Sequence, residues 1–238
     1  CIFDSTKFSP STSSGQCSVL CWPTFGLLSS VLPHSHSVAA KRKRSNHQMK
    51  EEFLSSRGIY YRVNDFQSGR QTLVFVHGLT GSSSAWLEYE KKFEGKYNIL
   101  TFDLRGHGKS DKPKRYEDYE IQDFVDDIKD LVAYLKIEKL ILISHSLGVI
   151  IALEFLIQNQ DKIESAIFLS PVFNVGKIKW TRIAGLLFGW LAKIMTMIPF
   201  SGERGRHIDY SKYKGTGDWN LRRMAADIPN TSVHVYAY

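Results

Sequence analysis

Five residues near the middle of the chain, Ser144-His145-Ser146-Leu147-Gly148, have the types and spacing for nucleophilic catalysis. The aliphatic run Leu140-Ile141-Leu142-Ile143 leads into them, and the apolar pattern Val149-Ile150-Ile151-Ala152-Leu153-Glu154-Phe155 leads out. That succession predicts a strand, a sharp turn and a helix, with Ser146 at the apex of a nucleophile elbow. Such a turn presses helix against strand, so the positions two before and two after the serine must be small. Ser144 and Gly148 meet that demand, with Ser144 the smallest polar choice after glycine.

A serine hydroxyl is a weak nucleophile. It needs a base to take its proton, a third group to orient that base, and donors for the oxyanion that develops on the acyl group. The elbow supplies Ser146 and one donor, the Leu147 backbone N–H, at the start of a helix whose dipole also favours negative charge. His145 adjoins the nucleophile in sequence, but adjacent residues on an elbow diverge, so it is expected to seat the turn.

The elements that position this turn can be read outward from it. Phe53 to Ser56 and Ile59 to Val63, split by Arg57-Gly58, read as a hairpin. Thr72 to Val76 is a buried strand running into His77-Gly78-Leu79-Thr80-Gly81-Ser82, and a helix is expected to start near Ser83 and carry Trp86 and Phe93. Tyr97 to Phe102 is the next strand, ending at Asp103-Leu104-Arg105-Gly106-His107-Gly108-Lys109-Ser110. Ile121, Phe124, Ile128, Leu131 and Leu135 recur at helical steps, with Asp123, Asp126, Asp127 and Asp130 expected on the solvated face. Ile163 to Leu169 is a further strand, closed by Ser170-Pro171. Strands alternating with helices of this length imply an α/β fold, a mostly parallel sheet covered by helices on both faces.

Taken in order, His77-Gly78-Leu79, the Asp103–Ser110 segment and Ser144-His145-Ser146-Leu147-Gly148 resemble the α/β-hydrolase superfamily, in its serine-nucleophile branch with a helical cap. The resemblance covers residues 51 to 171 well. It implies that His77 and Gly78 support the site, that the Leu79 N–H is the second oxyanion donor, and that Asp103 and Arg105 brace the site without acting in it. It also places the triad acid after the next sheet strand and the histidine after the one following. Neither strand follows Leu169 here, so the chain is expected to end inside or just after the cap, lacking both groups and with little or no activity as it stands.

Three segments are thus expected: residues 1–48 a disordered or non-native tail, 49–171 the hydrolase core, and 172–238 a helical cap. The tail is rich in Ser, ends in Lys41-Arg42-Lys43-Arg44, and holds Cys1, Cys17 and Cys21. It carries five basic residues against Asp4, so most of the net charge of +7 belongs to it. The remainder has no aromatic-interleaved basic patch, which argues against nucleic-acid binding. Its lack of cysteine fits a reducing, cytoplasmic setting. No apolar run reaches the roughly 18 residues of a spanning helix. No His or Cys spacing suggests zinc, and neither cofactor nor metal is expected. His207 and His234 fall in the cap and are not expected to be the base.

The expected activity is that of a serine hydrolase, carboxylesterase- or lipase-like, on small to medium apolar esters. The aromatic cap segment Trp180 to Phe200 suggests an apolar acyl or alcohol group. The alternatives are carbon–carbon bond or thioester hydrolysis on the same scaffold, and a non-catalytic relative that binds a ligand. Composition does not specify the oligomeric state.

Overall fold

The computed structural model describes residues 2–4, 49–171, 190, 227–232 and 234–235. The expectations for the rest of the tail, for the cap pattern around Trp190 and for His207 lie outside the described residues. Seven strands form one sheet: β1 (Ile2–Asp4), β2 (Lys50–Leu54), β3 (Ile59–Val63), β4 (Thr72–Val76), β5 (Asn98–Phe102), β6 (Leu140–His145) and β7 (Ile163–Leu169). Their spatial order is β1-β7-β6-β4-β5-β3-β2. The central strands β5, β4, β6 and β7 run parallel, while β3 joins β5, β2 joins β3 and β1 joins β7 antiparallel. Three residues of the tail therefore form an edge strand, with Phe3 opposite Ala166.

The sheet is covered as its sequence demands. On β4, Leu73 and Phe75 point to one face and Val74 and Val76 to the other, the period of two that any strand imposes. One face packs Trp86, on a 3-10 turn (Ser83–Trp86), and Phe93 of α1 (Leu87–Phe93) against Leu73, Phe75, Ile99 and Ile143. The opposite face packs α2 (Ile121–Tyr134) and α3 (Leu147–Gln158) against Val74, Val76, Leu100 and Leu142. Phe124, Ile128 and Leu131 are the buried stripe of α2, as their spacing predicts. Helix α3 is apolar nearly all round because Val149, Ile151, Ala152, Phe155 and Leu156 are all buried.

Two expectations are corrected. The hairpin's first strand is Lys50–Leu54, not Phe53 to Ser56, and Ser55 and Ser56 lie in the turn that leads to Gly58. Of the four aspartates assigned to a solvated helix face, Asp127 is buried at 1% exposure. Arg105 Nε and Nη2 donate to its two carboxylate oxygens at 2.7 Å each. Asp130 pairs with Arg57 at 2.5 Å, and Asp123 lies 3.2 Å from Arg105. No helix among the described residues is long and apolar enough to cross a membrane.

Candidate active site

Chain order and spatial order disagree around β4, and that disagreement makes the crevice. The chain passes from β4 to β5 on one side and then returns to β6 on the other. The loops leaving the C-terminal ends of β4 and β6 thus diverge, which is where open parallel sheets place their ligands.

Ser146 follows β6 at that point, with φ 51° and ψ −118°, at the cap of α3. A serine in this region carries about 1–3 kcal/mol of strain and persists only where its surroundings fix it. Here they do. The Ser146 N–H donates to the Leu169 carbonyl at 3.1 Å, and its own carbonyl accepts the Val149 N–H at 2.9 Å. The elbow anticipated from sequence is therefore present, with the side chain partly exposed at its apex.

The small residues around it have distinct reasons. A Cβ on Gly148 would fall 2.5 Å from the His77 carbonyl oxygen and 2.8 Å from that of Val76, so only glycine lets α3 start hard against the end of β4. A Cβ on Gly78 would lie 3.0 Å from both the Ser146 Cβ and the His145 Nδ1, so the main chain after β4 runs in contact with Ser146. His145, 9% exposed, packs beneath that loop. Ser144 is fully buried between Val76 and Phe168 and fits where a glycine is more usual, its hydroxyl without a hydrogen-bond partner among the described residues.

His77 holds the loop. Its Nε2 accepts the Leu104 N–H at 3.0 Å, so the proton sits on Nδ1, which donates to the Gly78 carbonyl at 2.8 Å. That carbonyl also accepts the Gly81 N–H at 3.0 Å. In a trans peptide C=O and N–H point in opposite directions, so fixing the Gly78 carbonyl fixes the aim of the Leu79 N–H. The Leu79 N–H makes no hydrogen bond among the described residues, and its side chain is exposed. Leu147 opens α3, where the first N–H groups lack intrahelical acceptors.

The segment after β5 is a brace, as expected. Asp103 is fully buried; its Oδ1 accepts the Ser83 N–H at 2.6 Å and its Oδ2 the Lys109 N–H at 2.7 Å. One carboxylate thereby ties the loop after β4 to the loop after β5. His107 sits beneath, its ring edge-on to His77 at 5.0 Å and its Nδ1 3.0 Å from the Arg105 carbonyl.

Complete burial pushes the His107 imidazole down to about 3, and the neighbouring His77 adds to the shift. Its ordinary value in an unfolded chain is about 6.5. Below that pH the unfolded state takes up a proton that the folded state refuses, so stability present at neutral pH is lost as pH falls from about 6.5 towards 3. The slope approaches about 1.4 kcal/mol per pH unit. Urea unfolding at pH 7 and pH 4.5 is expected to show about 2–3 kcal/mol of this loss, and His107→Gln is expected to remove that share of the acid sensitivity. An unchanged pH dependence in the variant would contradict the assignment.

His234 lies away from the elbow's hydrogen bonds. It stacks on Tyr119 at 5.8 Å and its Nδ1 is 3.2 Å from the Ser232 Oγ. The Ser232 N–H in turn donates to the Gly106 carbonyl at 2.6 Å, which docks Ser232 on the brace loop. Among the described residues no side chain hydrogen-bonds the Ser146 hydroxyl, and no group of three or more His, Cys, Asp or Glu is placed to hold a metal. Sequence reasoning missed the backbone at Ser170, where φ is 47°. A proline at 171 was the only signal nearby, and it points the other way, to extended backbone.

Comparison with known proteins agrees with this fold. The chain is 30% identical over 109 residues to Epoxide hydrolase 1 of Caenorhabditis elegans, covering 44% of this chain and 27% of that protein. It is 34% identical over 92 residues to Epoxide hydrolase 3 of Mus musculus, covering 39% and 25%. An uncharacterised protein of Mycobacterium tuberculosis is 29% identical over 141 residues, 59% of this chain and 41% of that one. The chain thus spans well under half the length of these curated relatives. Among solved structures, Epoxide hydrolase CorEH superposes with a TM-score of 0.57 at 17% identity, covering 80% of this chain and 72% of that one. A carboxylesterase of the thaumarchaeon Nitrososphaera gargenis does so at 0.50 and 21%, covering 79% and 69%. At such identities the structures speak for the fold alone. The sequence model of the alpha/beta hydrolase fold matches residues 71–211, more than half of the chain. With Ser146 strained between β6 and α3 beside the loop after β4, the chain belongs to the alpha/beta hydrolase fold family.

Proposed function

We propose that Ser146 is the nucleophile of a hydrolase that cleaves small to medium apolar esters through an acyl-enzyme. The observation that carries this is the Ser146 backbone, φ 51° and ψ −118°, which holds a partly exposed hydroxyl at a strained apex. The hydroxyl oxygen bonds to the acyl carbon while the carbonyl π pair moves to oxygen. The Leu79 and Leu147 N–H groups receive that charge, the alcohol leaves with a proton, and water then releases the acid. The base that takes the hydroxyl's proton is the histidine that the resemblance to the family places after the second sheet strand beyond β7. His77, Gly78, Ser144, His145 and Gly148 shape and support the turn.

The named relatives bring in epoxide opening as a second reading. The identity of the nucleophile weighs against it. A carboxylate that opens an epoxide forms an ester, which water cleaves; a serine that did so would form an alkyl ether, with no acyl carbon for water to attack and no oxyanion for the two amides to stabilise. Ser146 therefore suits acyl transfer, whether from an ester, a thioester or a vinylogous diketone. An assay of the full-length protein with p-nitrophenyl esters, acyl-thioesters, vinylogous diketones and aryl epoxides separates these. Ester turnover with an acyl group on Ser146 by mass spectrometry is the expected result. Inert esters beside turnover of diketones or epoxides would overturn it.

A further inference from the structure

Among the described residues four non-glycine positions have positive φ: Thr80, Lys136, Ser146 and Ser170. Lys136 closes the C-terminal end of α2, where left-handed backbone is ordinary. The other three follow the C-terminal ends of β4, β6 and β7, neighbours in the sheet. Strain of this kind gathers where a site is being shaped.

Ser170 is the least expected of them. The parallel register of β6 and β7 ends with His145 opposite Leu169, so the next residue on each strand is Ser146 and Ser170. Adjacent strands lie about 4.8 Å apart. The Leu169 carbonyl accepts the Ser146 N–H at 3.1 Å, so the peptide bond that carries Ser170 is joined directly to the nucleophile's backbone. Ser170 turns left-handed with φ 47° although Pro171 drives the residue before it to extended backbone. Glycine would take this conformation without strain. Serine adds a hydroxymethyl group, whose Cβ carries the strain and whose hydroxyl is what it gains, and that side chain is exposed.

We propose that Ser170 is a substrate-selecting residue, whose hydroxyl hydrogen-bonds a hydroxyl or keto substituent carried close to the acyl carbon that Ser146 attacks. The proposal rests on Ser146 being the nucleophile. The loop after β4, with Gly78 in contact with Ser146, occupies one side of the nucleophile, and Ser170 stands on the side of β7. With the oxyanion held on the first side, the second is left to the substituents of the substrate.

The test compares two fluorophosphonates on the full-length protein, one with a plain alkyl chain and one with a hydroxyl on a chain of the same length. The hydroxylated reagent is expected to label Ser146 roughly tenfold faster, the worth of one good hydrogen bond. Ser170→Ala is expected to bring the ratio of the two rates near one, while Ser170→Asn, which tolerates left-handed backbone and keeps a polar group, retains a preference. Ser170→Gly is expected to lose the preference and raise the melting temperature, since it relieves the strain. A ratio that survives Ser170→Ala, or a ratio near one in the unaltered protein, would overturn the role of Ser170 alone, as would a Ser170→Gly variant no more stable than the parent. Failure of both reagents to label Ser146 would overturn the nucleophile and this role together.

Discussion

Ser146→Ala is expected to lower the turnover of p-nitrophenyl esters by about six orders of magnitude in the full-length protein, the loss seen when the serine of such a site is removed. Members of a catalytic group act as a unit, so the remaining base and oxyanion donors cannot make up for the missing nucleophile; what survives is about 10³ to 10⁴ over water. The companion variant Ser146→Gly carries a second signature. Serine at φ 51° is strained and glycine is not. Ser146→Gly is therefore expected to be as inactive as the alanine variant and more stable than the parent by about 1–2 kcal/mol. Urea unfolding beside the esterase assay checks both. A glycine variant that loses stability, or an alanine variant that keeps even a hundredth of the activity, would contradict the role assigned to Ser146.

Arg105→Leu is expected to cost about 3–5 kcal/mol of stability, the usual loss when one partner of a buried ion pair is removed. The guanidinium makes two 2.7 Å hydrogen bonds to Asp127, donates to the Asp118 carbonyl at 2.7 Å and lies 3.2 Å from Asp123. Burial already raises the Asp127 carboxyl above its usual range, with Arg105 pulling the other way. Without the arginine, the cation that remains paired with Asp127 among the described residues is Arg57, at 4.0 Å. The double variant Arg105→Leu/Asp127→Leu is expected to recover most of the loss, because an apolar pair of similar volume needs no compensation. Urea midpoints of the parent, the single and the double variant check this. A single variant within 1 kcal/mol of the parent, or a double variant worse than the single, would contradict it. Because Leu104 next to Arg105 donates to His77, the damage is also expected to reach the loop beside Ser146.

How much of this was legible in the sequence follows from the kind of signal each element left. The strands Thr72–Val76 and Ile163–Leu169 were read to the residue because buried parallel strands are short apolar runs with abrupt ends. Strand β2 was misplaced by three residues at its start because it is an edge strand. Lys50, Glu51, Glu52 and Phe53 are exposed and only Leu54 is buried. Charge on an edge is compatible with pairing, and here it is used: Lys109 meets Glu51 at 2.9 Å, and the Tyr61 hydroxyl donates to Glu52 at 2.7 Å. No apolar alternation marks such a strand.

Asp127 was misassigned for a different reason. Its position, three after Phe124 and four before Leu131, is on the buried stripe of α2, but its charge argues for the solvated face and outweighs the spacing when the sequence is read alone. What periodicity could not supply was the partner, since Arg105 comes from another loop. The elbow, by contrast, was fully legible, because Ser146, Gly148 and the runs on either side are local in sequence. Ser170 left no trace, since neither a serine nor the proline after it announces left-handed backbone.

The most direct measurement is a crystal structure of the protein after reaction with an alkyl fluorophosphonate. It should show phosphorus bonded to the Ser146 Oγ, with the phosphoryl oxygen about 2.7–3.1 Å from the backbone nitrogens of Leu79 and Leu147. An unmodified Ser146, or a phosphoryl oxygen turned away from both nitrogens, would contradict a hydrolytic site here and leave the elbow as a binding or structural turn.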